Sequence, residues 1–224
     1  LLLSQIDERG VVTLTLNRPL AFNSLSEAML AALQTELDAI ARNEAARVVV
    51  LAAAGKAFCA GGDIRFLHQA GSCGNPEIED FFTEEYALNH LIHAYPKPYI
   101  AFLDGIVMGG GMGIAGHARP VLSPGQTAAS LRLVTPNTRM AMPETNIGLF
   151  PDVGGGYFLS RCPGHIGEYL ALTGDVIGGA DAVVAGLADA LVLSSHKLGG
   201  PPGVGALVLR DGRGFPPLFA GAQE

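Results

Sequence analysis

An α/β domain is what this sequence predicts, on three observations. Two β-like runs, Arg47-Val-Val-Val-Leu-Ala52 and Pro98-Tyr-Ile-Ala-Phe-Leu103, each precede a glycine-rich turn. Those turns, Phe58-Cys-Ala-Gly-Gly-Asp-Ile64 and Gly105-Ile-Val-Met-Gly-Gly-Gly-Met-Gly113, each open onto a segment able to start a helix. Two longer stretches, from Ser24 to about Asn43 and from 77 to 94, carry apolar residues at helical spacing. Strand, helix, strand, turn, helix is the order of a layered α/β domain.

Taken in order, Val11-Val-Thr-Leu-Thr-Leu16 reads as a strand that Asn17-Arg18-Pro19 ends. Ser24 followed by Glu27 is a capping-box signature, and the helix it opens places Leu25, Met29, Leu33, Leu37 and Ile40 near one face. After the strand at 47–52 and its glycine turn, residues 77–94 form a second helix with Ile78, Phe81, Phe82, Leu88, Leu91 and Ile92 as its apolar stripe. Glu85 falls inside that stripe, four residues after Phe81 and three before Leu88, whereas Glu84 points elsewhere. A glutamate on a buried face is costly unless paired or functional, so Glu85 is a site residue or half of a structural ion pair. His90 and His93 share this helix without a metal-ligand partner set and read as surface histidines. The apolar run 99–116 reaches membrane-span length, but its six glycines and Asp104 favour strand, turn and helix.

Composition narrows the class. At 224 residues, 49% apolar and 16% charged, the chain suits one domain with a sizeable core and no membrane span. A net charge of −7, with lysine at positions 56, 97 and 197 only, argues against nucleic acid as a partner. Cys59, Cys73 and Cys162 have no metal or redox spacing, and an odd count suits a reducing, intracellular compartment. Cys59 beside its glycines is a packed core thiol more readily than a nucleophile.

The chemistry concentrates in residues 142–158, Met-Pro-Glu-Thr-Asn-Ile-Gly-Leu-Phe-Pro-Asp-Val-Gly-Gly-Gly-Tyr-Phe. Prolines and glycines forbid one continuous helix there, so Glu144 and Asp152 sit on turns or short pieces. Ile147, Leu149, Phe150 and Val153 offer them apolar walls. A carboxyl with few water neighbours has a raised pKa and moves protons near neutrality. The alternative is a pair of solvated loop acids. The two earlier glycine turns add backbone N–H groups at helix starts, and two amides aimed at one point stabilise a carbonyl oxygen gaining charge. Gly111-Met-Gly-Ile-Ala-Gly116 also fits the dinucleotide fingerprint, but no acidic residue lies about 20 positions on to hold a ribose. A serine-hydrolase elbow is absent.

Together, Phe-Cys-Ala-Gly-Gly-Asp, Met-Gly-Gly-Gly and Met-Pro-Glu-Thr-x-Ile-Gly-Leu-Phe-Pro-Asp-Val-Gly-Gly-Gly resemble the crotonase (enoyl-CoA hydratase/isomerase) superfamily, over about Leu3 to Lys197. The third motif is most similar to that of the 3-hydroxyisobutyryl-CoA hydrolases. The resemblance implies a spiral of repeated β-β-α units, with the C-terminal helical region truncated. It implies oxyanion amides at Gly62 and Gly110, acid/base work by Glu144, a second carboxylate at Asp152 and a substrate contact at Glu85. Gly110, Glu144 and Asp152 would also touch substrate. The implied substrate is an acyl-CoA, hydrolysed at its thioester as in valine catabolism, with no cofactor beyond that coenzyme A. Arg18 and Lys56 are the cations nearest the motifs for its phosphates. Hydratases that resemble this chain carry a first catalytic glutamate where Gly113 stands and usually glycine where Asp152 stands. The expected location is cytoplasmic in a bacterium and the mitochondrial matrix in a eukaryote, with self-association into a homo-oligomer open.

Two departures from the pattern divide the chain. Pro120–Ser130 has no counterpart and reads as a loop insertion within an acyl-CoA-binding domain spanning 1–197. Residues 198–224 form a divergent tail, in which Gly199–Gly203 reads as a linker and 204–224 shows no helical periodicity. An enoyl-CoA hydratase or isomerase, and a catalytically silent CoA-binding or scaffold protein, remain as competing functions.

Overall fold

A computed structural model describes residues 1–118, 130–194 and 205–209. Strands β1 (Leu2–Ile6) and β2 (Val11–Leu16) pair antiparallel, and helix α1 (Glu27–Arg42) leads to β3 (Val48–Ala53). The chain then continues through β4 (Ala57–Cys59), α2 (Ile64–Cys73), α3 (Glu77–His93), β5 (Tyr99–Leu103), β6 (Ile106–Met108) and α4 (Gly110–Gly116). Beyond the insertion come β7 (Leu131–Val134), β8 (Arg139–Ala141), a 3-10 turn at Glu144–Ile147, α5 (Gly155–Leu159) and α6 (Ile166–Thr173). Last are β9 (Ile177–Gly178), α7 (Gly179–Val184), β10 (Ala190–Ser194) and β11 (Gly205–Leu209).

A long strand, a short strand and then helix recur three times, starting at β3, β5 and β7. The long strands line up in a seven-stranded sheet, β1-β2-β3-β5-β7-β10-β11, parallel from β2 to β10 and antiparallel at both edges. The short strands form a second sheet, β4-β6-β8-β9. This is the expected β-β-α spiral. Each turn of it passes from one sheet to the other through a glycine or proline corner, and those corners fall side by side. The segment 99–116 is β5, β6 and α4, and no helix among the described residues is long and apolar enough to cross a membrane.

Period-two burial in β2 seats Val12, Leu14 and Leu16 in the core, and α1 lays Met29, Leu33, Leu37 and Ile40 over the same core. The capping box does not form, however, and no side-chain hydrogen bond caps the start of α1. Helix α1 starts at Glu27 with Ser26 as its cap, while the Ser24 hydroxyl accepts from Arg18 Nη1 at 3.1 Å. Leu25 is drawn out of the helix by a two-residue bridge to the first glycine turn. Its N–H donates to the Gly61 carbonyl at 2.8 Å and its carbonyl accepts from the Asp63 N–H at 2.8 Å. At the other side of the sheet, the buried Arg132 guanidinium grips Asp189 through Nε at 3.0 Å and Nη2 at 2.8 Å, tying β7 to the turn before β10.

Of the insertion, only Ser130 lies within the described residues. Its hydroxyl accepts from the Tyr99 N–H at 3.0 Å, and β7 keeps a continuous parallel register with β5 from Ile100–Leu131 to Leu103–Val134. The linker and most of the tail lie outside the described residues. Residues 205–209, which lack helical periodicity, form β11 instead: Gly-Ala-Leu-Val-Leu pairs antiparallel along the open edge of β10.

Candidate active site

Two glycines in backbone conformations closed to other residues bring the first two glycine turns together. Gly61 has φ +101° and Gly109 has φ +51°. The result is a close approach: a Cβ placed on Gly110 would stand 3.3 Å from the Gly62 nitrogen. Among the described residues, neither the Gly62 nor the Gly110 N–H donates to a backbone carbonyl. Arg18 braces the first turn, with Nη2 at 2.7 Å from Asp63 Oδ2 and Nη1 on the Ser24 carbonyl. The Arg18 guanidinium is thereby engaged inside the fold, while Lys56 is exposed. Cys59 is fully buried and its thiol is pushed up to about 12 by that burial, so it is a core residue and no nucleophile at neutral pH.

The third motif breaks into short pieces. Pro143 opens the 3-10 turn and Gly148 closes it in the left-handed region, and Gly154 leads into α5. The apolar walls are not where the sequence pattern put them. Ile147, Leu149 and Phe150 are exposed, and of the four only Val153 is buried. Glu144 is buried instead by the second glycine turn: its Oε1 would be 2.7 Å from a Cβ on Gly109. The absence of a side chain there makes the seat for the carboxylate.

Three polar side chains line the bare backbone at the start of α4. Glu144 abuts Gly109, Glu85 abuts Gly110, and the Asn89 amide would lie 2.9 Å through Oδ1 from a Cβ on Gly113. All three are buried, and Glu85 Oε1, Glu144 Oε2 and both amide atoms of Asn89 have no hydrogen-bond partner among the described residues. The ion-pair alternative for Glu85 therefore has no cation behind it among the described residues. Burial pushes the Glu85 carboxyl up to about 8, with the Asp152 and Glu144 charges adding to it. Burial likewise lifts Glu144 to about 7, against a lowering backbone hydrogen bond and with Asp152 raising it further. Asp152 is half-buried and accepts from the Tyr86 hydroxyl at 2.8 Å. Val153 next to it has φ +43°, a strained value for a β-branched residue, and its carbonyl is held by His117 Nε2 at 2.9 Å.

Two raised carboxyls make folding proton-linked. Above about pH 5 an unfolded chain with both carboxyls near 4.5 has released their protons, whereas the folded protein keeps that of Glu144 until about pH 7 and that of Glu85 until about pH 8. Stability is then highest at the acid end of that window, falls as pH rises through it and levels off above. Thermal melts from pH 5 to 9 should show this decline, and Glu85→Gln should flatten it while raising the melting temperature at the alkaline end. An unchanged slope in that variant would mean the Glu85 carboxyl does not carry the linkage.

A family profile described as enoyl-CoA hydratase/isomerase matches residues 11–199. The chain belongs to the enoyl-CoA hydratase/isomerase family. It is 47% identical over 194 residues to the mitochondrial 3-hydroxyisobutyryl-CoA hydrolase of Xenopus tropicalis, covering 86% of this chain and 47% of that protein. It is 43% identical over 184 residues to the small ribosomal subunit protein mS47 of Neurospora crassa, covering 80% of this chain and 34% of that one. The carnitinyl-CoA dehydratase of Mycobacterium thermoresistibile superposes with a TM-score of 0.77 at 44% identity, over 85% of this chain and 53% of its own. The chain thus spans about half the length, or less, of these relatives.

Within this enoyl-CoA hydratase/isomerase domain the fold gathers Gly62, Gly110, Glu85 and Glu144 around one corner, with Asp152 linked to it through Tyr86. Sequence patterning passed over Tyr86 and Asn89. Tyr86 follows Glu85 on the outward side of α3 and bears no periodic signal. Asn89 lies one turn beyond Glu85 on the same face, but an uncharged amide in an apolar stripe carries a weaker signal than a carboxylate. His90 and His93 are exposed, as expected, and no cluster able to hold a metal ion occurs among the described residues.

Proposed function

We propose that this chain hydrolyses a short 3-hydroxyacyl-CoA thioester, as the name of its 3-hydroxyisobutyryl-CoA hydrolase relatives states for them. The observation that carries the proposal is a buried carboxyl, Glu144, raised to about 7 and seated against a turn whose neighbouring amides, Gly62 and Gly110, have no backbone acceptor among the described residues. At neutral pH a carboxyl of that pKa is divided between base and acid forms, which suits proton transfer in both directions. In this scheme the two amides donate to the thioester oxygen. Ionised Glu144 takes a proton from water as the water oxygen bonds to the carbonyl carbon. Collapse of the tetrahedral oxyanion breaks the C–S bond, and the proton returns to the leaving thiolate. The same groups also serve a second route, in which Glu144 attacks the carbonyl, releases the thiolate and is itself freed by water from the mixed anhydride. Asp152, oriented by Tyr86, positions the substrate or protonates the leaving group. Glu85 contacts the acyl group, and no cofactor is needed beyond the coenzyme A of the substrate. In a eukaryote this reaction would belong to the mitochondrial matrix, a reading supported by the word mitochondrial in the name of the Xenopus relative.

Hydration of an enoyl-CoA is disfavoured by the surroundings of Gly113. A Cβ there would come within 2.7 Å of Val153 Cβ and 2.9 Å of the Asn89 amide, so no second carboxylate fits at that point of α4. For the same reason, replacing Gly113 by glutamate would first displace Val153 and would not convert the site cleanly. The likeness to mS47 supports a second reading, a scaffold without catalysis. Incubation of the purified chain with 3-hydroxyisobutyryl-CoA and, separately, with crotonyl-CoA distinguishes all three. The expected result is thiol release from the first and negligible loss of enoyl absorbance from the second. Efficient hydration would replace hydrolysis by hydratase chemistry, and inertness toward both would favour the scaffold.

A further inference from the structure

We propose that Asn89 is the residue that recognises the hydroxyl of the acyl group, and so selects a hydroxylated acyl chain over a plain one. The inference rests on the thioesterase reading above for the direction in which substrate lies.

Asn89 is 5% exposed and lies on the buried face of α3, one helical turn beyond Glu85. Both its Oδ1 and its Nδ2 are without partners among the described residues. A buried primary amide left wholly unpaired is destabilising, because folding strips its water and returns nothing. Such a group persists where something else completes it. It borders a cavity of about 230 Å³ whose other walls are Tyr86, His90, His93, His117, Gly154 and Tyr157, and the Tyr86 hydroxyl links that cavity to Asp152. Opposite the amide the backbone of α4 is bare at Gly113, just as it is bare at Gly110 opposite Glu85. The orphaned groups Glu144, Glu85 and Asn89 therefore follow the glycines 109, 110 and 113 in a row. From Gly110 to Gly113 the helix advances about 4.5 Å, which sets the amide one step along α4 from the proposed oxyanion amides.

The chemistry of the third position differs from that of the first two. Glu85 and Glu144 exchange protons or accept hydrogen bonds, whereas a primary amide presents a donor and an acceptor side by side. An alcohol is the small group that answers both at once, donating to Oδ1 and accepting from Nδ2. A methyl or methylene at the same place would leave both amide atoms unpaired. Sites built to bond a substrate hydroxyl discriminate strongly against the analogue lacking it, for that reason.

The test uses two inert coenzyme A analogues in which a methylene separates sulfur from the carbonyl, one carrying the 3-hydroxyisobutyryl chain and one the isobutyryl chain. Their affinities are measured by calorimetry on the whole chain, wild type and Asn89→Leu. The wild type should bind the hydroxylated analogue at least ~10-fold more tightly, the scale of a lost buried hydrogen bond. In Asn89→Leu that ratio should fall to near one. A ratio unchanged in the variant would overturn the proposal and leave the amide bonded to water or serving packing, and so would a wild type without preference. Asn89→Ala, read on the same pair, gives the same expectation should the leucine variant not fold. Hydroxyl preference that depends on Asn89 in a chain that hydrolyses neither thioester would sink the thioesterase reading and leave this one standing. Hydrolysis without preference would do the reverse.

Discussion

Replacement of Glu144 by glutamine should lower turnover of a 3-hydroxyacyl-CoA by at least ~100-fold, the usual cost of losing a general acid/base group. Glutamine has nearly the same shape, so the seat that Gly109 leaves for the side chain stays filled. What changes is the proton. Both proposed routes need an ionisable oxygen at this point, one as base and one as nucleophile, and an amide is neither. Stability should move the other way. Glu144 and Asp152 each raise the carboxyl of Glu85, so a neutral side chain at 144 removes one like charge from a buried cluster. The variant should melt no lower than wild type near pH 8. Turnover close to wild type in a folded variant would take Glu144 out of the mechanism, and a collapse in melting temperature would make it a structural residue. The two measurements on one protein separate these cases.

Local pattern was a good guide wherever a single rule governed the chain. Strand β2 ran over the expected residues, and α3 followed its stripe from Glu77 to His93 with Glu85 on the buried face. In these segments periodicity and burial coincide because each element packs one face on the same core. The misses arose where long-range contacts overrode local signals. Ser24 had the right spacing for a cap, but Arg18 claimed its hydroxyl and the Leu25–Gly62 bridge held that stretch extended, shifting the start of α1. Ile147, Leu149 and Phe150 looked like walls by composition alone. Ile147 ends a 3-10 turn, Leu149 and Phe150 follow the left-handed Gly148 that closes it, and this change of backbone direction leaves all three exposed. Glycine motifs revealed where backbone would be exposed but not what would press against it. That Glu144, Glu85 and Asn89 fill the spaces beside glycines 109, 110 and 113 is a property of three segments meeting, legible only in the fold.

The sharpest probe of the proposed oxyanion amides is the contrast between Gly110→Pro and Gly110→Ala. Either side chain adds a Cβ that meets the Glu85 carboxylate, so both variants displace Glu85 to a similar degree. They differ in the N–H, which alanine keeps and proline lacks. Proline is compatible with the local backbone. Gly110 is the first residue of α4, a position where the missing donor costs the helix nothing. Gly109 before it has φ +51° and ψ −118°, outside the helical region that a following proline disfavours. The proline variant should therefore fold and should be slower than the alanine variant by roughly 100-fold or more, corresponding to about 3 kcal/mol for one oxyanion donor. The loss should appear in kcat more than in KM, because charge on the thioester oxygen grows only as the transition state forms. Equal activity in two folded variants would mean that the Gly110 amide does not face the reacting oxygen. In that event the Gly62 amide and the neighbouring carboxyls would have to polarise the carbonyl without it.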